Sequence, residues 1–363
     1  MALHCADVEA TLNGQTTGTR RSDRFLAGLR AASRVTFVSH VQPDPDSLGS
    51  MLGLAHLVEC RLGKPTRITR DGLINRAENR AMAELLALDL IPVEDLTFLP
   101  GEAVVMLDSQ PNTGRHSFGD VPLYAVIDHH TTPGDLEAVP FVDVRPTLGA
   151  TCTMVTRYLV EQDVPVPARV ATALLYGIET EVSGYPREAT QIDDAALHFL
   201  FPLADKDLLA RIRNARLPHS HFEVLLQALQ SSFIYDRIII SWVANLPQPE
   251  QAAEVVDFMV RFDKVDWALC GGVCGDKLVL SLRTSLHGVQ AGELLRQVVG
   301  RLGKAGGHDR RAGGYVQVPP DLSGGIEAVQ TEIRRRMLIA LGCPDARGQR
   351  LVPLREMLQQ IQE

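Results

Sequence analysis

The 363-residue chain has no long apolar run, no CxxC pair, no excess of basic residues and only two tryptophans. Each absence removes a class of protein. A helix needs about 20 consecutive apolar residues to cross a bilayer, and no stretch approaches that, so no membrane partner is expected. Residues 1–18 are polar, carry Asp7 and Glu9, and lack the charged start and apolar centre of a secretory leader. The expected location is cytoplasmic. The six cysteines stand apart, and Cys270 and Cys274 have no second Cys/His pair at zinc spacing. They read as buried thiols in a reducing compartment. The formal net charge is −8, whereas a protein that binds long duplex DNA presents a basic face. Any nucleic acid partner is therefore expected to be short, although one cationic pocket is compatible with an acidic whole.

What is present is an ordinary globular composition, 45% hydrophobic and 22% charged, at a length that favours two domains. Short β-branched runs read as buried strands at 34–39, 66–69, 103–107 and 123–127. Apolar residues at helical spacing predict helices at 23–32, 46–62, 76–88, 150–161, 168–180 and 192–200. Gly63 and Pro65 supply the stop for the second of these. Strands alternating with helices predict an α/β domain on a parallel sheet. A second, smaller α/β domain is expected from strands at 237–243, 267–273, 278–283 and 315–318 and helices at 251–262 and 290–302, with a Gly-rich loop before the last strand. The expected organisation is a loose extension at 1–22, a first domain at 23–201, a helical connector at 202–235, a second domain at 236–345, and a C-terminal helix within 346–363.

Chemistry-bearing residues collect where three of the strands end. The first is followed by His40 and, in HVQPDPDS, by Asp44 and Asp46; the third is followed by Asp108; the fourth by Asp128, His129 and His130. Carboxyl ends of parallel strands share one edge of the sheet, where open α/β folds bind ligands. Taken singly, Asp46 reads as a helix N-cap, a strand-end Asp as a turn residue, and the two histidines as a solvated pair. Taken together they are a carboxylate–imidazole set suited to divalent ions such as Mn²⁺, and two such ions could act on phosphorus.

The segments HVQPDPD, VVMLDS and VIDHH resemble the first three motifs of the DHH phosphoesterase superfamily, which includes RecJ-type nucleases, manganese-dependent pyrophosphatases, exopolyphosphatases and small oligoribonucleases that are also pAp phosphatases. The triplet alone is a weak signal; its position after the other two is a specific one. The family's fourth motif usually carries an Asp, and here GIETEVSGYPREAT places Glu181 at that position. The later GKAGGHDRRAGG is similar to the glycine-rich element of the DHH-associated domain, matching at Gly306, Gly307 and His308 with Ala305 in place of the first glycine. The preceding LRTS contributes Arg283.

The resemblance implies two divalent ions, Mn²⁺ first and Mg²⁺ or Co²⁺ as alternatives, in a cleft between the domains. His40 and Asp44 would hold one and Asp46, His129 and Glu181 the other, with Asp108 bridging. His130 would act on the scissile phosphate, with Asp128 orienting it. Arg283, Gly306, Gly307 and His308 would grip the far end of a nucleotide. Arg115 could contact phosphate or be an ordinary surface arginine. Glu179 is a weaker ligand candidate. The implied activity is hydrolysis, by a metal-activated water, of short oligoribonucleotides or 3′-phosphoadenosine 5′-phosphate. A linear or cyclic dinucleotide phosphodiesterase is the near alternative. A non-catalytic nucleotide-binding protein is the alternative of another class, to which Glu181 and Ala305 both point. A RecJ-type exonuclease and a pyrophosphatase fit the second domain less well. A homodimer is compatible with the sequence.

Overall fold

The computed structural model describes residues 8, 11–12, 18–131, 133–182, 189–307, 309–317 and 325–353. The chain divides into two compact units, Met1–Arg216 and Leu217–Glu363. The division falls inside the segment expected as a connector. Its helices Lys206–Arg213 (α7) and His219–Ser231 (α8) belong to different units.

The N-terminal unit is built on six strands: β1 (Arg34–Val38), β2 (Thr66–Arg70), β3 (Leu90–Pro92), β4 (Glu102–Leu107), β5 (Ala125–Asp128) and β6 (Phe141–Val144). They pair in the order β3-β2-β1-β4-β5-β6, every pair parallel. The chain runs outward from β1 to β3, then crosses back to β4. The order therefore reverses between β1 and β4, the switch point at whose carboxyl ends open α/β sheets bind ligands. The packed helices are α1 (Arg21–Leu29), α2 (Pro45–Leu62), α3 (Ala77–Leu85), α4 (Thr151–Glu161), α5 (Ala168–Val182), α6 (Gln191–Leu200) and α7. One apolar core joins them, including Phe25, Phe37, Leu48, Met51 and Tyr158.

Helix α2 shows how local sequence sets position. Asp44 is its N-cap and accepts from Ser47 N at 3.0 Å, Pro45 occupies the first turn, and Gly63 closes it in the left-handed region at φ 61°. Helix α2 lies against α5, and glycines make the approach close: a Cβ on Gly177 would stand 2.6 Å from Cys152 Sγ and 2.9 Å from Pro45 O. Gly177→Val should therefore force α5 away from the start of α2. We expect a loss of about 1–3 kcal/mol in denaturant melts, together with weaker divalent-ion binding, because Asp46 moves with that turn. Unchanged melts and unchanged binding would contradict this packing.

In the C-terminal unit a seven-stranded sheet runs in the order β11-β12-β10-β9-β8-β7-β13. Its strands are β7 (Phe233–Tyr235), β8 (Ile238–Val243), β9 (Trp267–Cys274), β10 (Lys277–Thr284), β11 (Gly303–Gly307), β12 (Arg311–Gln317) and β13 (Gln349–Arg350). Only β8 and β9 pair parallel among the described strands of this sheet. Its helices are α8, α9 (Glu250–Met259), α10 (Ala291–Val299) and α11 (Gly325–Ala340). Two expectations are corrected here. Helix α11 has no counterpart in the sequence reading. The Gly-rich segment is not a loop but strand β11, with Gly306 opposite Gly313 and Gly307 opposite Ala312. Close approach explains two of its glycines: a Cβ would meet Tyr315 O at 1.9 Å from Gly303 and Arg311 O at 2.3 Å from Gly307. The helix expected at 353–362 lies outside the described residues apart from Leu351–Pro353 at its approach.

Candidate metal centre

Three adjacent strands deliver the cluster. His40 follows β1 by two residues, Asp108 immediately follows β4, and Asp128 is the last residue of β5. Asp108 has φ 55°, a left-handed backbone that Asp tolerates better than most residues. Such strain concentrates at functional sites. All of His40, Asp46, Asp108, Asp128 and His129 are buried.

Asp108 is common to two groups of potential ligands. One joins His40, Asp44 and Asp108; the other joins Asp108, His129 and His130. His40 Nε2 lies 3.5 Å from Asp108 Oδ2 and 3.6 Å from Asp44 Oδ2. On the other side, His129 Nε2 lies 3.4 Å from Asp108 Oδ1 and 3.7 Å from Asp46 Oδ2. The two carboxylate oxygens of Asp108 thus face opposite imidazoles. Each imidazole is anchored through its other nitrogen: His40 Nδ1 donates to Val41 O at 2.8 Å, and His129 Nδ1 donates to Leu148 O at 3.3 Å. Anchoring of this kind presents Nε2 for metal ligation.

The surrounding hydrogen bonds hold these groups in place. Asp46 accepts from Thr151 N and Cys152 N, both at 2.7 Å, so its carboxylate sits on the N-terminus of α4. Ser47 Oγ donates to Asp108 Oδ2 at 2.8 Å and lies 2.9 Å from His40 Nε2. His130 Nδ1 donates to Asp128 Oδ1 at 2.8 Å, and Gln110 Nε2 donates to Asp128 Oδ2 at 2.9 Å. Asp193 accepts from Gly149 N, Thr153 Oγ1 and Thr190 N, fixing the turn that offers Leu148 O to His129.

Electrostatics follow from burial and crowding. Burial, then the charge of Asp108, push Asp46 well above the usual carboxylate range, and Glu181 adds to the push. Burial also works against charge on Asp108, but hydrogen bonds with His129 and His40 outweigh it and hold its carboxyl well below that range. Burial disfavours the charged His40, yet hydrogen bonds to Asp108 and Asp44 win and raise it to about 10. The metal-free cluster therefore retains protons that a cation would displace.

The remaining expected residues fall as follows. Glu181 lies near the end of α5, close enough for its charge to reach Asp46. Glu179 pairs with Arg213 instead. Arg115 is exposed on the loop after β4, its carbonyl accepts from Val41 N at 2.6 Å, and its charge acts on His40. In the other unit, Arg283 is buried and donates from Nε to Asp257 Oδ1 at 2.6 Å. Gly306 has no atom within 4 Å of the position a Cβ would take, unlike Gly307, where Arg311 O would be 2.3 Å away. His308 lies outside the described residues. The sequence reading missed Ser47, Gln110, Thr151 and Asp193. None has a spacing signal, because each contacts the cluster from a different segment.

The residues fit divalent cations. Carboxylates and anchored imidazoles are the right donors, the negative charges of Asp108, Glu181 and Asp44 converge on Asp46, and Ser109 Oγ, next to Asp108, is buried with no hydrogen-bond partner among the described residues. Such an orphaned atom calls for a ligand or water.

A six-stranded parallel sheet with carboxylates and histidines at its switch point defines a class of α/β proteins with a cation site at the strand ends. Residues 34–178 match the model of the DHH family, N-terminal domain, so the chain carries a DHH-family domain over that stretch. An uncharacterized protein of Methanocaldococcus jannaschii is 29% identical over 312 residues, covering 84% of this chain and 63% of that one. A protein of Enterococcus faecalis, described as a probable manganese-dependent inorganic pyrophosphatase, is 25% identical over 183 residues, 48% of this chain and 57% of its own length. The chain spans about three fifths of the length of these curated relatives. An exopolyphosphatase-related protein from Bacteroides fragilis shares the fold, with a TM-score of 0.72 over 90% of this chain and 99% of that one, at 15% identity. Among the described residues, no helix is long and apolar enough to cross a membrane.

Proposed function

We propose that this chain is a divalent-metal-dependent phosphoesterase that hydrolyses short oligoribonucleotides or 3′-phosphoadenosine 5′-phosphate. The observation that carries the reading is Asp108, whose two oxygens face His40 on one side and His129 on the other. His40 and Asp44 would hold one ion; Asp46, His129 and Glu181 would hold a second; Asp108 would contact both. Two such ions supply Lewis-acid polarisation of a water and of a phosphoryl oxygen. Mn²⁺ is favoured because the Enterococcus faecalis relative is described as manganese-dependent, with Mg²⁺ and Co²⁺ as substitutes.

The chain's own groups do the rest. Asp128 fixes the tautomer of His130 by accepting from Nδ1, which assigns proton transfer with the substrate to Nε2. Gln110 holds Asp128 from its other oxygen. Arg115 adds positive charge at the rim for a phosphate. The acidic whole, at net charge −8, favours a small substrate over a long polyanion. Gly306, open on its Cβ side, lets backbone approach a substrate group closely, and His308, two residues on in the sequence, would share that role.

A substrate panel tests this reading. With Mn²⁺, the protein should release phosphate from 3′-phosphoadenosine 5′-phosphate or mononucleotides from pApA. Turnover of inorganic pyrophosphate alone would reassign the substrate class; binding of nucleotides without any turnover would replace the enzyme with a nucleotide-binding protein. Arg283→Ala should raise KM about tenfold with kcat nearly unchanged if the guanidinium serves ground-state binding. Identical kinetics would confine Arg283 to its ion pair with Asp257.

A further inference from the structure

Asp71 immediately follows β2, as Asp108 immediately follows β4. It is a buried carboxylate at the same edge of the sheet, yet it belongs to neither of the two groups of potential ligands among the described residues. Both of its oxygens are engaged. Oδ2 accepts from Ser117 N and Oδ1 from Ser117 Oγ, each at 2.5 Å. A carboxylate held on both sides by a neighbouring loop acts as a tether and not as an open ligand.

The tether joins three loops. Ser117 lies on the loop that follows Asp108. Two residues before it, Arg115 offers its carbonyl to Val41 N at 2.6 Å. Val41 forms an isolated parallel bridge with Asp71, and Asp71 O accepts from Gln42 N at 2.7 Å. Val41 and Gln42 lead from His40 to Asp44. Gln42 has φ 61°, a left-handed backbone that persists only where its surroundings over-determine it. The Asp108 loop is pinned nearer its start by Thr113 Oγ1, which donates to Gln110 O at 2.9 Å. Between the two pins the chain turns at Asn112 (φ 60°) and Gly114 (φ 72°). Arg115 therefore stands on a tight turn that Asp71 closes, and its charge reaches His40. We propose that Asp71 is a positioning residue that, through Ser117, sets Arg115 to bind a phosphate group of the substrate beside His40 and Asp44. This rests on the hydrolase reading above, in which Arg115 meets phosphate.

Kinetics of the full, Mn²⁺-loaded chain decide the matter. Asp71→Ala should raise KM on the order of 10-fold, with little change in Mn²⁺ affinity. In an Arg115→Ala background the same change should raise KM by less than about twofold, because groups that act as one unit are not additive. Asp71→Asn should recover most of the loss, since Oδ1 still accepts from Ser117 N and Nδ2 can donate to Ser117 Oγ. Ser117→Ala removes one of the two bonds and should fall between the wild type and Asp71→Ala, which keeps the question answerable if Asp71→Ala folds poorly. A wild type that turns over no substrate would defeat the hydrolase reading separately. Equilibrium binding of 3′-phosphoadenosine 5′-phosphate should then show the same pattern across the variants. Losses that multiply in the double variant, an Asp71→Asn protein as impaired as Asp71→Ala, or an Asp71→Ala defect confined to Mn²⁺ affinity would each overturn the proposal.

Discussion

Asp108→Asn should lower kcat/KM for metal-dependent hydrolysis by on the order of 10³-fold while leaving the metal-free protein folded. The substitution keeps shape and volume and removes charge. A carboxylate that contacts two cations supplies several kcal/mol of charge stabilisation, and an amide cannot replace it. The fold should lose some stability, because the bonds with His129 and His40 that hold the Asp108 carboxyl well below its usual range are weakened. Relief of Asp46, raised by burial and then by the charge of Asp108, returns part of that loss. Mn²⁺ should raise the melting temperature of the wild type and should not raise that of the variant. A variant that turns over near the wild-type rate with Mn²⁺, or that gains as much thermal stability from the ion, would show that Asp108 is not shared between ligand sets.

Mn²⁺ affinity should rise steeply with pH, by about tenfold per unit at pH values below the His40 pKa. The pKa of the His40 imidazole is held up at about 10, well above its usual range. Burial opposes its charge, the positive Arg115 opposes it further, and Asp108 and Asp44 together outweigh both. The sign follows from that shift. The protonated ring contributes stability that is full below about pH 6.5 and is lost as pH rises through about 10. Nε2 can accept a metal only after its proton leaves, so ion and proton compete for one atom. Calorimetry in buffers of different ionisation enthalpy should record net proton release on Mn²⁺ binding at neutral pH, and His40→Gln should remove the share that His40 supplies. An affinity that stays flat from about pH 6.5 to about pH 8.5 would contradict the coupling.

The sequence was most informative where chemistry and strand ends coincide. His40, Asp44, Asp46, Asp108 and His129 were all legible because each lies at or just beyond a short β-branched run or at the start of a helix, and the parallel sheet places such positions on one edge. The groups that hold them were not legible. Ser47 and Thr151 are small polar residues with many ordinary uses, and Asp193 is 85 residues from Asp108 along the chain. Asp143 shows the converse hazard. It is a buried strand carboxylate like Asp128, but it is satisfied by Arg21, Arg145 and Tyr158, and no periodicity separates the two cases. Strands β3, β6, β7 and β13 have two to four residues, too few for alternation to register. The β11 glycines read as a loop because glycine is the default loop residue; only the close pairing with β12 shows why a strand needs them.

Anomalous diffraction from crystals grown with Mn²⁺ tests the central claim most directly. The account predicts two peaks about 3.5–4 Å apart, flanking Asp108, one beside His40 and Asp44 and the other beside His129 and Asp46. A single peak that leaves Asp108 out, or no peak at these strand ends, would contradict it.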